Sequence, residues 1–139
     1  MADFVADASA TLPWCFADEA TPATEALLER LRAGEAGIVP ARWPTEVMNA
    51  LVMAVRRKRI DIERVMRFTR ALPALRIQIE RPQDPGQWGA VLRIAPQHQL
   101  TIYDAAYLEL ALRKGLPLAT LDGDLRKAAA AIDVRLLEK

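Results

Sequence analysis

Four carboxylates stand where the sequence pattern can bring them together. Asp7 closes one apolar stretch, FVADAS, and Asp122 closes another, LATLDGD. Glu46 lies two residues after Pro44 in WPTEVMNAL, and Asp104 three residues after Thr101 in TIYDAAYLELA, each in the first turn of a strong helical pattern. Two carboxylates about 4 Å apart repel by roughly 4 kcal/mol at an effective dielectric of ~20, so such a cluster needs a cation or raised pKa values. Oxygen ligands without Cys or His suit a hard divalent ion, Mg²⁺ or Mn²⁺, which keeps several waters. Such an ion lowers the pKa of a bound water and offsets charge on a phosphate under attack, which gives hydrolysis without a nucleophilic side chain. Capping is the competing reading: Thr101-x-x-Asp104 approximates a capping box, Glu46 suits a helix N-terminus, and Asp122 suits an N-cap. A dipole or capping contact is worth about 0.3–1 kcal/mol, less than the repulsion in a genuine cluster.

The elements that must position these groups alternate along the chain. Residues 3–7 read as a strand, and Pro22 to Ala33 as a helix with Thr21 as N-cap, Pro22 at its first position and Gly34 after it. Gly37 to Pro40 reads as a short strand or turn. Pro44 to Arg59 reads as a helix with Val47, Leu51, Ala54 and Val55 on one face, followed by a helix capped by Asp61 and running to about Leu72. RIQIE alternates as a strand, Pro85 to about Ala95 is a weaker helix that Pro96 cuts short, and Tyr103 to Lys114 is a strong helix ended by Gly115. LPLATL reads as the fourth strand, 124–131 as a helix, and DVRLL as a last strand. Strands separated by helices of ten or more residues are the pattern of parallel βαβ units. The expectation is an α/β fold, a three-layer α/β/α sandwich around a mostly parallel sheet, in one domain spanning 1–139. Ligands of such sheets bind beyond the carboxyl ends of the strands, where Asp7 and Asp122 fall.

Composition narrows the chemistry further. At 139 residues and 52% hydrophobic content the chain can bury a real core. The net charge of +1 conceals 15 arginines and 4 lysines against 18 acids, which leaves nucleic acid open as a partner. One cysteine, Cys15, excludes an internal disulfide, and zinc-ligand spacings are absent. The single histidine, His98, lies after Pro96 in a polar turn, a poor place for a catalytic triad. No signal-like N-terminus and no apolar run of roughly 18 residues is present, so the expected setting is soluble and cytoplasmic, with no membrane.

FVADAS, WPTEVMNAL, TIYDAAYLELA and LATLDGDLRKAA, in this order and spacing, resemble the four acidic motifs of PIN domains, most closely those of VapC-type toxins. The resemblance covers nearly the whole chain. It implies a metal-dependent endoribonuclease that hydrolyses RNA, usually a homodimer, neutralised by a small VapB-type antitoxin encoded beside it. It places the acidic tetrad on Asp7, Glu46, Asp104 and Asp122, with Mg²⁺ or Mn²⁺ as cofactor. Ser9 matches the hydroxyl after the first Asp and Thr120 the one before the last, as donors that fix carboxylate orientation. Asn49 fits the N of E-x-x-N-A-L, and Asp124 can share or replace the role of Asp122.

Arg56, Arg57, Lys58 and Arg59 form VRRKRI at a predicted helix end, where they complement the dipole. The run reads as a solvated face, as a contact to the RNA backbone or as part of an antitoxin surface. Trp14, Phe16, Trp43 and Trp88, and the Tyr107, Leu108, Ala111 stripe, read first as core. An Asp-nucleophile phosphatase is a rival, but Asp7 is followed by Ala8 and Ser9 rather than by D-x-D. A noncatalytic PIN-like binding module is another, yet all four acids are present.

Overall fold

The structure, a computed structural model, describes residues 3–137. Four strands alternate with seven helices: β1 (Phe4–Ala6), α1 (Ala8–Thr11), α2 (Pro22–Arg32), β2 (Gly37–Val39), α3 (Trp43–Arg56), α4 (Ile62–Ala71), β3 (Ile77–Ile79), α5 (Pro85–Gln97), α6 (Ile102–Lys114), β4 (Leu118–Ala119) and α7 (Gly123–Ala131). The strands pair in parallel in the order β3-β2-β1-β4. The chain therefore builds outward from β1 through β2 to β3, then returns to place β4 on the other side of β1. That reversal makes the crevice beyond the carboxyl ends of β1 and β4 the topological switch point.

Pleating sends the sheet's side chains into two layers. Val5 and Leu118 join a core with Val47 and Leu51 of α3, Leu108 and Leu110 of α6, and Leu125 of α7. Phe4, Ala6 and Ala119 pack on the opposite side with Ala10 of α1 and Leu27 and Leu31 of α2. This is the three-layer α/β/α sandwich, and each fully buried leucine stabilises it by about 1.5–3 kcal/mol. Caps set the helix starts: Thr21 and Asp84 close capping boxes on α2 and α5, and Asp61 caps α4. Gly115, at φ 65°, ends α6 and releases the chain toward β4.

Several element ends differ from the sequence expectation. The helix expected over 44–59 stops at Arg56; Arg57 is its C-cap, and Lys58 takes a left-handed φ of 59° that turns the chain toward Asp61. The helix before Pro96 is not cut short but continues through the proline to Gln97, because a proline in the last turn forgoes only one intrahelical bond. LPLATL supplies only Leu118–Ala119 as strand. Beyond it the amides of Leu121 and Asp122 donate to the hydroxyls of Ser9 and Thr120 at 2.9 and 3.0 Å instead of to a sheet ladder. DVRLL is no strand either: a single parallel bridge joins Leu136 to Leu118.

Candidate active site

All four acids sit at the carboxyl edge of the sheet. Parallel register pairs Ala6 with Ala119, so the next residues, Asp7 and Thr120, emerge side by side. Asp7 is 5% exposed and caps α1. Its Oδ1 accepts from the Ser9 hydroxyl at 2.7 Å and from the Ala10 amide at 3.1 Å, while its Oδ2 accepts from the Thr120 hydroxyl at 2.6 Å. The Thr11 hydroxyl donates to the Asp7 carbonyl at 2.9 Å, and the Trp43 indole N–H reaches Thr11 from α3. Both carboxylate oxygens are thereby fixed. Ser9 and Thr120, the two hydroxyl donors to Asp7, lie 3.3 Å apart, oxygen to oxygen.

Asp122 is the N-cap of α7, with Oδ1 accepting from the Leu125 amide at 3.0 Å. Capping therefore does explain part of Asp122, and of Asp7, but not of the other two acids. Thr101, not Asp104, caps α6 by accepting from the Asp104 amide at 3.1 Å. The N-cap position of α3 belongs to Arg42, and Glu46 instead accepts a hydrogen bond from the Tyr107 hydroxyl at 3.3 Å. Asp124 follows in the first turn of α7, and Asn49 is exposed one turn beyond Glu46.

Electrostatics couple the group. Burial raises Asp7 above the ordinary carboxylate value; the bonds from Thr120, Ser9 and Ala10 oppose this, and the charge of Asp122 adds to it. Glu46 is raised chiefly by burial, with Tyr107 and Arg42 lowering it and Asp104 and Asp7 raising it. Asp104 is raised by burial first and by Asp122 and Asp124 next, against the Thr101 hydroxyl. Asp7, Glu46 and Asp104 are thus each raised in part by the charge of another acid of the tetrad. Among the described residues, however, no three His, Cys, Asp or Glu side chains are gathered tightly enough to hold a metal ion. The donor set fits a hard divalent ion in chemistry, with carboxylates and hydroxyls and no soft ligand.

Tyr107 is the residue whose part in the site the sequence conceals. It is buried in the core as its stripe predicts, yet its hydroxyl ties α6 to Glu46 on α3, and its ionisation is pushed upward by burial and the surrounding acids. The only sequence signal is its spacing of one turn from Asp104.

The basic run lies elsewhere. Arg57 is eleven residues from Glu46 along α3, or about 16 Å at 1.5 Å per residue. Arg59 is committed to the fold, ion-paired to Asp18 at 3.1 Å and Glu19 at 2.5 Å and stacked on Phe16. Arg56, Arg57 and Lys58 remain exposed.

The PIN domain family profile matches residues 4–131, an interval that contains all four acids. The chain belongs to the PIN domain family. This PIN domain is 36% identical over 94 residues to the exonuclease VapC9 of Pyrobaculum aerophilum, an alignment covering 66% of this chain and 67% of the relative. Two solved structures share its fold. The crystal structure of PAE2754 from Pyrobaculum aerophilum matches with a TM-score of 0.70 at 24% identity, over 91% of this PIN domain and 84% of that chain. A toxin–antitoxin complex from Klebsiella pneumoniae matches with a TM-score of 0.65 at 18% identity, over 97% of each chain.

The raised carboxyls predict a pH dependence with a definite sign. Because folded Asp104 holds its proton more tightly than an unfolded Asp at its ordinary 3.8, ionisation costs stability; the cost is absent below 3.8 and complete above the folded value. Asp104→Asn is free of this cost. With metal removed by EDTA, the variant is expected to be the more stable protein at neutral pH, with the gap closing as pH falls toward 4. Urea titrations of both proteins across that range check it, and a gap that stays constant or widens contradicts it.

Proposed function

We propose that this PIN domain is a divalent-metal-dependent endoribonuclease and the toxin of a type II toxin–antitoxin pair. The observation that carries the reading is the electrostatic coupling of four acids at the switch point of the sheet, around an Asp7 clamped by two hydroxyls. Asp7, Asp104 and Asp122 would hold Mg²⁺ or Mn²⁺, with Glu46 on a second ion or on the attacking water. When bound, such an ion activates water and offsets charge on the phosphate. In its role at the attacking water Glu46, held by the Tyr107 hydroxyl, would orient the water and accept its proton. Ser9 and Thr120 keep Asp7 from rotating as charge changes around it.

The relative named VapC9 and the fold neighbour in a toxin–antitoxin complex support a small VapB-type antitoxin as partner. Exposed Met48 and Val52 on α3, and Ile62 and Met66 on α4, offer apolar surface for it, with Arg56, Arg57 and Lys58 at the turn between those helices. A homodimer and a cytoplasmic setting belong to the same reading; no helix among the described residues is long and apolar enough to cross a membrane. The alternative is a noncatalytic PIN-like binding module that uses the same edge of the sheet without cleaving what it binds.

Covalently closed circular RNA decides between these readings, and it also separates internal cleavage from the end-dependent cleavage that the relative's name denotes. The expected result is linearisation of the circle in Mn²⁺ and none in EDTA. Degradation of linear RNA alone overturns the internal-cleavage assignment, and no metal-dependent cleavage of either form supports the binding module.

A further inference from the structure

We infer that the groove beside the acidic edge is a subsite for one unpaired nucleobase of the strand being cut. The inference rests on the nuclease reading and adds to it a place where base identity or single-strandedness is sensed. The groove has a volume of about 460 Å³ and lies between the strand ends that follow β2 and β3 and the helices α5 and α6. Pockets of ~300–1,000 Å³ with apolar and aromatic walls and few polar groups are the usual form of small-ligand sites. Trp88, Leu92, Ile102 and Tyr103 line this one, and all four are exposed, Trp88 by 53%. The Trp88 ring is nevertheless held in place, because its indole N–H donates to the Gln83 carbonyl at 3.1 Å. A fixed, exposed aromatic face is what base stacking requires.

The groove approaches the acids at the start of α6. Tyr103 adjoins Asp104 in the first turn of α6. Arg42, three residues into the loop after β2, stacks its guanidinium 3.8 Å from the Tyr103 ring centroid, and its charge is felt by Glu46. A phosphate held at Asp104 therefore has the Tyr103 wall of the groove as its neighbour along α6.

Charge complements the same occupant. The groove's own acids are spent within the protein: Glu109, 5% exposed, accepts from Arg113 at 2.8 Å and from Gln83 at 3.3 Å, and Glu80 pairs with Arg113 at 3.4 Å. Arg42 and Arg81 at the rim have no ion-pair partner among the described residues and are available to the strand's phosphates. An apolar aromatic slot with cations at its mouth matches a base with its backbone.

The test is steady-state cleavage of single-stranded RNA in Mn²⁺ by wild type, Trp88→Ala, Trp88→Leu and Trp88→Phe. Trp88 is half-exposed, so these variants are expected to fold, which circular dichroism checks. Loss of stacking should raise KM by about 5- to 100-fold in the Ala and Leu variants, with kcat little changed, while Phe restores the wild-type KM. A ribose–phosphate strand without bases should inhibit wild type and Trp88→Ala equally. Metal-dependent cleavage with an unchanged KM in Trp88→Ala, or full rescue by Leu, overturns the subsite and leaves the nuclease reading standing. A Trp88→Ala protein that sediments as a smaller species than wild type, with unchanged KM, reassigns the groove to an interface between copies. Absence of any cleavage by wild type defeats both proposals.

Discussion

Asp104→Asn is expected to lose RNA cleavage by about 10³-fold while keeping its fold. The magnitude follows from the several kcal/mol of charge stabilisation that a positioned divalent ion supplies, at 1.36 kcal/mol per factor of ten. The fold should survive because the cap of α6 belongs to the Thr101 hydroxyl and the Asp104 amide, neither of which the substitution touches. The exchange keeps the side chain's shape and removes only a charge that burial and the charges of Asp122 and Asp124 already penalise. Cleavage rates paired with a urea titration provide the check. Wild-type cleavage in Asp104→Asn would take that residue out of the chemistry, and a collapse of stability would return it to a structural role.

The largest effect on stability is expected at Asp7, where two substitutions should separate. Asp7→Ala removes the cap of α1 and leaves the buried Thr120 hydroxyl and the Ala10 amide without their acceptor. That should cost roughly 2–4 kcal/mol, from a lost cap and unsatisfied partners of a charged group, less the relief of the carboxylate's own burial. Asp7→Asn can keep the bonds from Ser9 and Ala10 through its carbonyl and reverse the one to Thr120, so it should cost within about 1 kcal/mol. Both variants should be inactive. Denaturant midpoints and cleavage rates on the same preparations separate the two roles, and an Asn variant as unstable as the Ala variant would show that the clamp needs the charge itself.

Much of this arrangement is legible in the sequence. Asp7 and Asp122 stood out because they end apolar stretches, and the parallel architecture sends the ends of such stretches to one edge. Glu46 and Asp104 were found by their place in the first turns of helices that begin at that edge. The capping explanation was half correct, and which half depended on three-dimensional detail: the αR backbone of Arg42 before α3, and a threonine that caps α6. The hydrogen bond between Tyr107 and Glu46 spans 61 positions, and no local pattern encodes a contact of that kind. The end of the helix that carries the basic run differs from its sequence pattern for a related reason. The pattern runs three residues too long, and Arg59 turns back onto Asp18, Glu19 and Phe16, partners about forty residues upstream. The fourth strand is shorter than its apolar run because serine and threonine hydroxyls capture the amides of Leu121 and Asp122. The groove beside the site was not visible in the sequence at all, since its walls come from four separate segments.

The most direct test of the central claim is the thermal midpoint of wild type and Asp104→Asn, each with and without Mn²⁺, because it needs no knowledge of the substrate. An ion that binds only the folded protein at a hundred times its Kd adds about 2.7 kcal/mol of stability. Mn²⁺ is expected to raise the wild-type midpoint and not the variant's, and the metal-free variant is expected to be the more stable of the two. A wild-type midpoint indifferent to Mn²⁺, or an equal shift in both proteins, would contradict the claim.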